Sequence, residues 1–116
     1  MKKQIIEHNK TVLDAITQLN ECSDKFLIIT KNKKVVGTLT DGDVRRGTIS
    51  GADLASNVFD ICNKSFAFGK NSNSEISNQK LLKSIGSYFL PILNEKLELV
   101  DILIDSVDFK LKKVDA

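Results

Sequence analysis

The stretch GTLTDGDVRRG, Gly37 to Gly47, holds the densest set of reactive side chains in the chain. Two carboxylates, Asp41 and Asp43, stand one residue apart. A hydroxyl precedes them at Thr40, and two guanidinium groups follow at Arg45 and Arg46. Three chemistries use such a set. Paired aspartates after an apolar strand can attack a phosphate with Mg²⁺ between them. The 116-residue chain is too short for the domain that reaction needs, and the strand before the pair is not the N-terminal one. A calcium loop starting at Asp41 would need glutamate at its twelfth position, where Ala52 stands. The third chemistry is recognition. A helix starting at Asp41 offers free N–H groups and a positive dipole end to a phosphate. Gly42 permits close backbone approach, the Thr40 hydroxyl adds a donor, and Asp43 can accept two ribose hydroxyls. Arg45 and Arg46 can pair phosphate bidentately. Against this stands a plain structural use: Thr40 or Asp41 caps the helix, the arginines are solvated, and Asp41 holds Arg45 in an ion pair four residues on.

The surrounding pattern places this stretch between a strand and a helix. Lys10 to Cys22 has helical spacing at Val12, Leu13, Ala15, Ile16 and Leu19, with Thr11 as cap and Asp14 three residues on. Lys25 to Thr30 is nearly all apolar and reads as a strand buried on both faces. Residues 31–34 form a polar turn, and Val35 to Thr40 a second strand. The helix from Asp41 ends or is interrupted near Ser50-Gly51, and Ala52 to Phe59 continues as a short helical turn. The order then repeats: a short strand at Ser65 to Phe68 like that at Gln4 to Ile6, a helix at Glu75 to Ile85, and strands at Tyr88 to Leu93 and Leu97 to Ile104. A last helix follows at Asp105 to Lys113. The second helix is expected to turn Ile76, Leu81, Leu82 and Ile85 inward and to close at Gly86. SDKFLII at Ser23 pairs with GSYFLPI at Gly86 at an offset of 63, and one inserted residue then aligns VVGTLTD with LVDILID. A repeat of this size buries little alone, so two copies sharing one core are expected.

The totals exclude several classes. Residues 1–63 carry nine Lys/Arg against eight Asp/Glu, and residues 64–116 carry eight against seven, so neither half is a basic surface for DNA. No apolar run reaches the ~18 residues of a membrane span, and the N-terminus lacks a signal-peptide core. Cys22 and Cys62 read as reduced, core-filling thiols of a cytoplasmic protein. His8 follows the first short strand, as a surface or capping group or a base-stacking one. Phe26, Phe66, Phe68 and Phe89 read as strand residues of the core. Pro91 marks an edge or a strand end. Lys110 to Lys113 reads as a solvated helix end.

The repeat and GTLTDGDVRR together resemble a CBS-domain pair, or Bateman module, over nearly the whole chain. That family carries a Gly-h-h-Thr/Ser-x-x-Asp motif (h, apolar), here Gly37 to Asp43. The resemblance implies an α/β (α+β) fold of two tandem β-α-β-β-α repeats, 1–63 and a degenerate 64–116, packed sheet to sheet with pseudo-twofold symmetry. It implies that Thr40 meets phosphate and Asp43 the ribose of a regulatory adenosyl nucleotide such as AMP, ADP or ATP, or of another nucleotide. Gly37, Gly42 and Arg46 complete the expected contact set. No catalytic residue, metal ligand or required cofactor is expected, so the chain alone is not an enzyme. The TDGDVRR variant is similar to CBS pairs attached to bacterial sugar-phosphate nucleotidyltransferases or isomerases. It implies a sugar-nucleotide enzyme as partner, this chain being the N-terminal part of a nucleotidyltransferase or a free-standing pair. A homodimer through the helices is also expected, with a ligand-free dimerisation module as the alternative function. In the second repeat Gly37 aligns with Asp101 and Thr40 with Ile104, and Asp43 with Val107, or with Asp108 after a slip. At most one good nucleotide site is therefore expected.

Overall fold

In the computed structural model, which describes residues 2–105, the chain divides into two compact units, Met1–Phe66 and Ala67–Ala116. Each unit holds a three-stranded sheet, with three α-helices in the first and, among the described residues, one in the second, a mixed α+β architecture. The last helix expected from the sequence, with Lys110 to Lys113 and both alternatives for the second-repeat aspartate, lies outside the described residues.

In the first unit β1 (Ile5–Glu7) pairs parallel with β2 (Phe26–Lys31), which pairs antiparallel with β3 (Lys34–Thr40). Asn32 and Lys33, both at positive φ, form the two-residue turn between β2 and β3, the geometry that suits the strand twist. β2 is buried from Phe26 through Thr30. Leu27 and Ile29 join Ile6, Ala15, Leu19, Leu39, Val58 and Cys62 in one core, and Phe26 and Ile28 are fully buried too. The expectation of a strand buried on both faces holds.

α1 (Val12–Glu21) starts at a capping box: Asp14 N donates to Thr11 Oγ1 at 3.1 Å and Thr11 N to Asp14 Oδ2 at 3.0 Å. α2 (Asp41–Ile49) follows β3 without a loop and ends at Ser50, before Gly51 at φ +108. The helical turn expected from Ala52 is displaced to α3 (Val58–Ile61), capped by the Asn57 side chain on Phe59 N. Residues 52–57 instead feed α1: Leu54 and Ser56 carbonyls accept from Leu13 N and Val12 N, two of the donors a helix start leaves free.

In the second unit β4 (Gly69–Lys70) pairs parallel with β5 (Phe89–Leu93), and β5 antiparallel with β6 (Leu99–Ile104). The register repeats the first unit. Ile6↔Ile29 becomes Gly69↔Ile92, Ile28↔Thr38 becomes Pro91↔Ile102, and the bulge after Ile29 recurs after Ile92. The first strand differs from expectation, starting at Gly69 rather than Ser65, with Phe66 and Phe68 half-buried ahead of it. Pro91 explains part of this. It sits mid-way along the central strand, not at an edge, and brings no N–H to a ladder. The Ile5↔Ile28 pairing of the first sheet has no counterpart opposite it, and β4 is one residue shorter.

α4 (Glu75–Ser84) ends at Ile85 and Gly86, the latter at φ +70. Its buried face is the expected one in part: Leu82 is buried and Leu81 packs beside it. Ile76 is 66% and Ile85 40% exposed, while Asn78 and Leu82 face inward. Gly69 opens the space: a Cβ there would lie 2.6 Å from Asn78 Oδ1.

Candidate functional site

Thr40 leaves β3 in extended conformation and caps α2. Thr40 Oγ1 accepts from Asp43 N at 3.4 Å, while Asp43 Oδ2 accepts from Thr40 N at 2.9 Å and from Thr40 Oγ1 at 3.2 Å. Asp43 Oδ1 accepts from Arg46 Nη2 at 2.8 Å. The Asp43 side chain is 14% exposed and that of Arg46 71%. Asp43 is thus anchored through one oxygen to the backbone, and its other oxygen faces a movable cation. Gly42 lies under that guanidinium, where a Cβ would come within 3.1 Å of Arg46 Nη1.

Four of the five expected contact residues, Thr40, Gly42, Asp43 and Arg46, therefore gather in the first turns of α2. Gly37 does not. It lies three residues back in β3, where a Cβ would stand 2.6 Å from Cys62 Sγ and 3.2 Å from the Asn63 carbonyl oxygen. Its role here is close packing of the segment after α3 on the strand.

The two arginines part company. Arg46 and Asp43 line a depression of about 360 Å³ with Gly47, Ser50, Ser56 and Asp60. Arg45 and Asp41 line a groove of about 490 Å³ with Ile16, Leu19, Val44 and Ile49. Neighbouring helical residues do not share a face, so a joint clamp by Arg45 and Arg46 is not formed. The pair that forms is Asp43–Arg46, three residues apart, and no ion pair joins Asp41 to Arg45.

His8 follows β1, its N–H donating to the Thr30 carbonyl at 2.8 Å, and its buried Nδ1 has no hydrogen-bond partner. Cys22 and Cys62 are free and buried, and burial raises both thiol pKa values. Their thiols donate to the Lys3 and Phe59 carbonyls. Among the described residues, no three His, Cys, Asp or Glu side chains gather as a metal site requires. No helix among them is long and apolar enough to cross a membrane.

At the second repeat's corresponding position, Ile104 stands where Thr40 does and offers no hydroxyl. Asp105 follows, buried, with its N–H on the Tyr88 carbonyl. Sequence reading missed the segment at Cys62-Asn63, which bridges β3 through Thr38. Its signal was Gly37 itself, a strand glycine that marks close backbone approach.

No protein-family model matches the chain, and no curated protein sequence matches it. Solved structures do. A CBS domain crystal structure superposes with a TM-score of 0.73 at 19% identity, over 97% of this chain and 87% of that one. A CBS domain protein from Pyrobaculum aerophilum complexed with AMP gives 0.73 at 16%, over 97% and 91%. CBSX2 in complex with AMP gives 0.74 at 20%, over 97% and 89%. The chain has the fold of these CBS-domain proteins.

Proposed function

We propose that the chain is a regulatory module that binds an adenosyl nucleotide at the start of α2. Thr40 is the phosphate contact and Asp43 the ribose contact, with Gly42 and Arg46 beside them. The observation that carries this reading is the state of Asp43. One carboxylate oxygen is fixed by the Thr40 backbone, and the other holds an exposed guanidinium. A ribose hydroxyl can take the place of Arg46 on Oδ1 without breaking the helix cap. The released arginine then carries a positive charge toward the phosphate. Two AMP-bound structures of the same fold support a nucleotide as ligand. The regulated activity is assigned to a sugar-phosphate nucleotidyltransferase, of which this chain is the N-terminal part or with which it associates. That assignment is carried by the TDGDVRR stretch alone. The chain itself is assigned no catalysis, and the cytoplasm is its proposed compartment.

A second reading, a ligand-free homodimer module, is favoured by one observation. The groove between α1 and α2 is walled by Ile16, Leu19, Val44 and Ile49, with Ile49 84% and nearby Leu13 50% exposed. Burying such a face is what association supplies.

A thermal-shift series with AMP, ADP, ATP, CMP, GTP and UDP-sugars separates the readings. A nucleotide at a hundred times its Kd adds about 2.7 kcal/mol of stability. Thr40→Ala and Asp43→Ala remove a helix cap and lower the baseline whether or not a ligand binds, so the readout is the ligand-induced increment. Arg46→Ala leaves the cap intact and is the cleaner variant. A shift with one nucleotide that shrinks in Arg46→Ala and disappears in Asp43→Ala is expected. No shift with any nucleotide contradicts the sensor reading and leaves the dimer module.

A further inference from the structure

The Asp43 carboxylate is largely engaged before any ligand arrives. Oδ2 accepts from Thr40 N at 2.9 Å and from Thr40 Oγ1 at 3.2 Å, which fills the roughly two lone-pair positions a carboxylate oxygen offers. Oδ1 accepts from Arg46 Nη2 at 2.8 Å. A ribose diol therefore finds one oxygen open, with a cation already on it. The guanidinium has a seat there. It lies over Gly42, where a Cβ would stand 3.1 Å from Nη1 and 3.2 Å from Nη2.

Displacing Arg46 has a cost that depends on what else the ligand brings. A nucleoside breaks the ion pair and offers the freed guanidinium only water. A nucleotide breaks the same pair and offers a phosphate, which takes a guanidinium bidentately. One side chain thus opposes the first ligand and favours the second. No neighbour replaces it in that role. Arg46 is the cation of its depression, where Asp43 and Asp60 carry the opposite sign, and Arg45 lines the other depression with Asp41. The guanidinium is exposed, so the pair is weak enough for a ligand to open.

We propose that Arg46 is a latch by which the α2 site selects phosphorylated ribonucleosides over bare ones: it closes Asp43 Oδ1 to ribose and yields it to a ligand whose phosphate can hold the guanidinium. The latch rests on the nucleotide reading above. The test is calorimetric titration of the full chain with adenosine and with AMP, as wild type and Arg46→Ala, at low and at moderate salt. The variant is expected to bind adenosine about threefold more tightly, the scale of an exposed ion pair. It is expected to bind AMP about fivefold more weakly or worse, the scale of a lost charge-assisted hydrogen bond. Salt gives a reading that needs no variant. Screening weakens the latch, so wild-type affinity for adenosine is expected to rise with salt while that for AMP falls. The adenosine affinity of Arg46→Ala is expected not to rise. A variant that binds AMP more weakly but adenosine no more tightly overturns the latch and leaves nucleotide binding standing. Wild-type adenosine binding that is unchanged or weakened by salt overturns the latch as well. Absence of binding by either ligand to either protein contradicts the adenosyl-nucleotide reading itself, and the latch falls with it.

Discussion

The two repeats share a frame and differ in what fills it. In the first unit Ile6 of β1 and Ala15 of α1 share one core, a large strand residue with a small helix one. In the second unit the sizes reverse: Gly69 of β4 lies under Asn78 of α4. The first arrangement is apolar and closed. The second buries an amide whose Nδ2 donates to the Lys70 carbonyl at 3.1 Å and whose Oδ1 has no partner. β3 is buried from Gly37 through Leu39, whereas β6 is half-buried or exposed throughout. Among the described residues, one buried cluster of the first unit centres on Leu27, Ile29 and Leu39, and one of the second on Leu82, Leu90 and Ile92. Register and bulges depend on backbone pairing, which many side chains satisfy. A hydroxyl at Thr40 or a glycine at Gly37 serves one purpose and is easily lost.

Exchanging residues between the repeats is the strongest way to break the comparison. Ala15→Asn puts an amide into a fully buried apolar site. Overpacking and an unpartnered polar group together should cost about 3 kcal/mol or more. The reverse change, Asn78→Ala, loses one hydrogen bond but removes an orphaned acceptor, and should stay within about 1 kcal/mol of wild type. Urea denaturation of both variants checks the asymmetry, and equal losses would show the two cores to be equivalent. A smaller effect is expected at the strand edge. Gly37→Ala drives a methyl into Cys62 and the Asn63 backbone and should cost about 1–3 kcal/mol, the range for overpacking. Asp101→Ala at the matching exposed position should change monomer stability by less than about 0.5 kcal/mol.

The smallest difference lies in the helix caps and shows itself through pH. α1 is capped by Thr11 with Asp14 at the third position, and α4 by Ser74 with Ser77. Hydrogen bonds from the Thr11 backbone and side chain lower the Asp14 pKa. A depressed folded pKa gives stability that is present above the unfolded value and lost as pH falls through the folded one. The start of α1 should therefore loosen on acidification below the usual aspartate range, while the serine cap of α4 does not titrate. Amide exchange at Asp14 and Ser77, followed from neutral to acid pH, should diverge in that order.

Much of the frame was legible in the sequence. The apolar run of β2, the polar turn and the offset of 63 gave the hairpins, and Thr11 with Asp14 gave the α1 cap. Three things were not. Periodicity on α4 pointed to Ile76 and Ile85, because apolar residues were counted without asking what the facing strand left open, and Gly69 admits Asn78. Arg45 and Arg46 both suit a phosphate by type, but helical rotation sends the two to different depressions. The close approach of Cys62 and Asn63 to Gly37 could not be read from the motif around it. Side chains whose roles depend on a distant partner leave no local pattern to read.

The central claim is that α2's first turn binds a nucleotide and that the corresponding place after β6 does not. Titration of isotope-labelled protein with AMP, followed amide by amide, tests it most directly. The expected result is a saturable set of shifts at Thr40, Asp41, Gly42 and Asp43, none of comparable size at Ile104 and Asp105, and loss of the set in Asp43→Ala. Shifts centred on Ile104 and Asp105, or none at millimolar AMP and the other nucleotides, would contradict the claim and leave Thr40 and Asp43 as the cap of a helix.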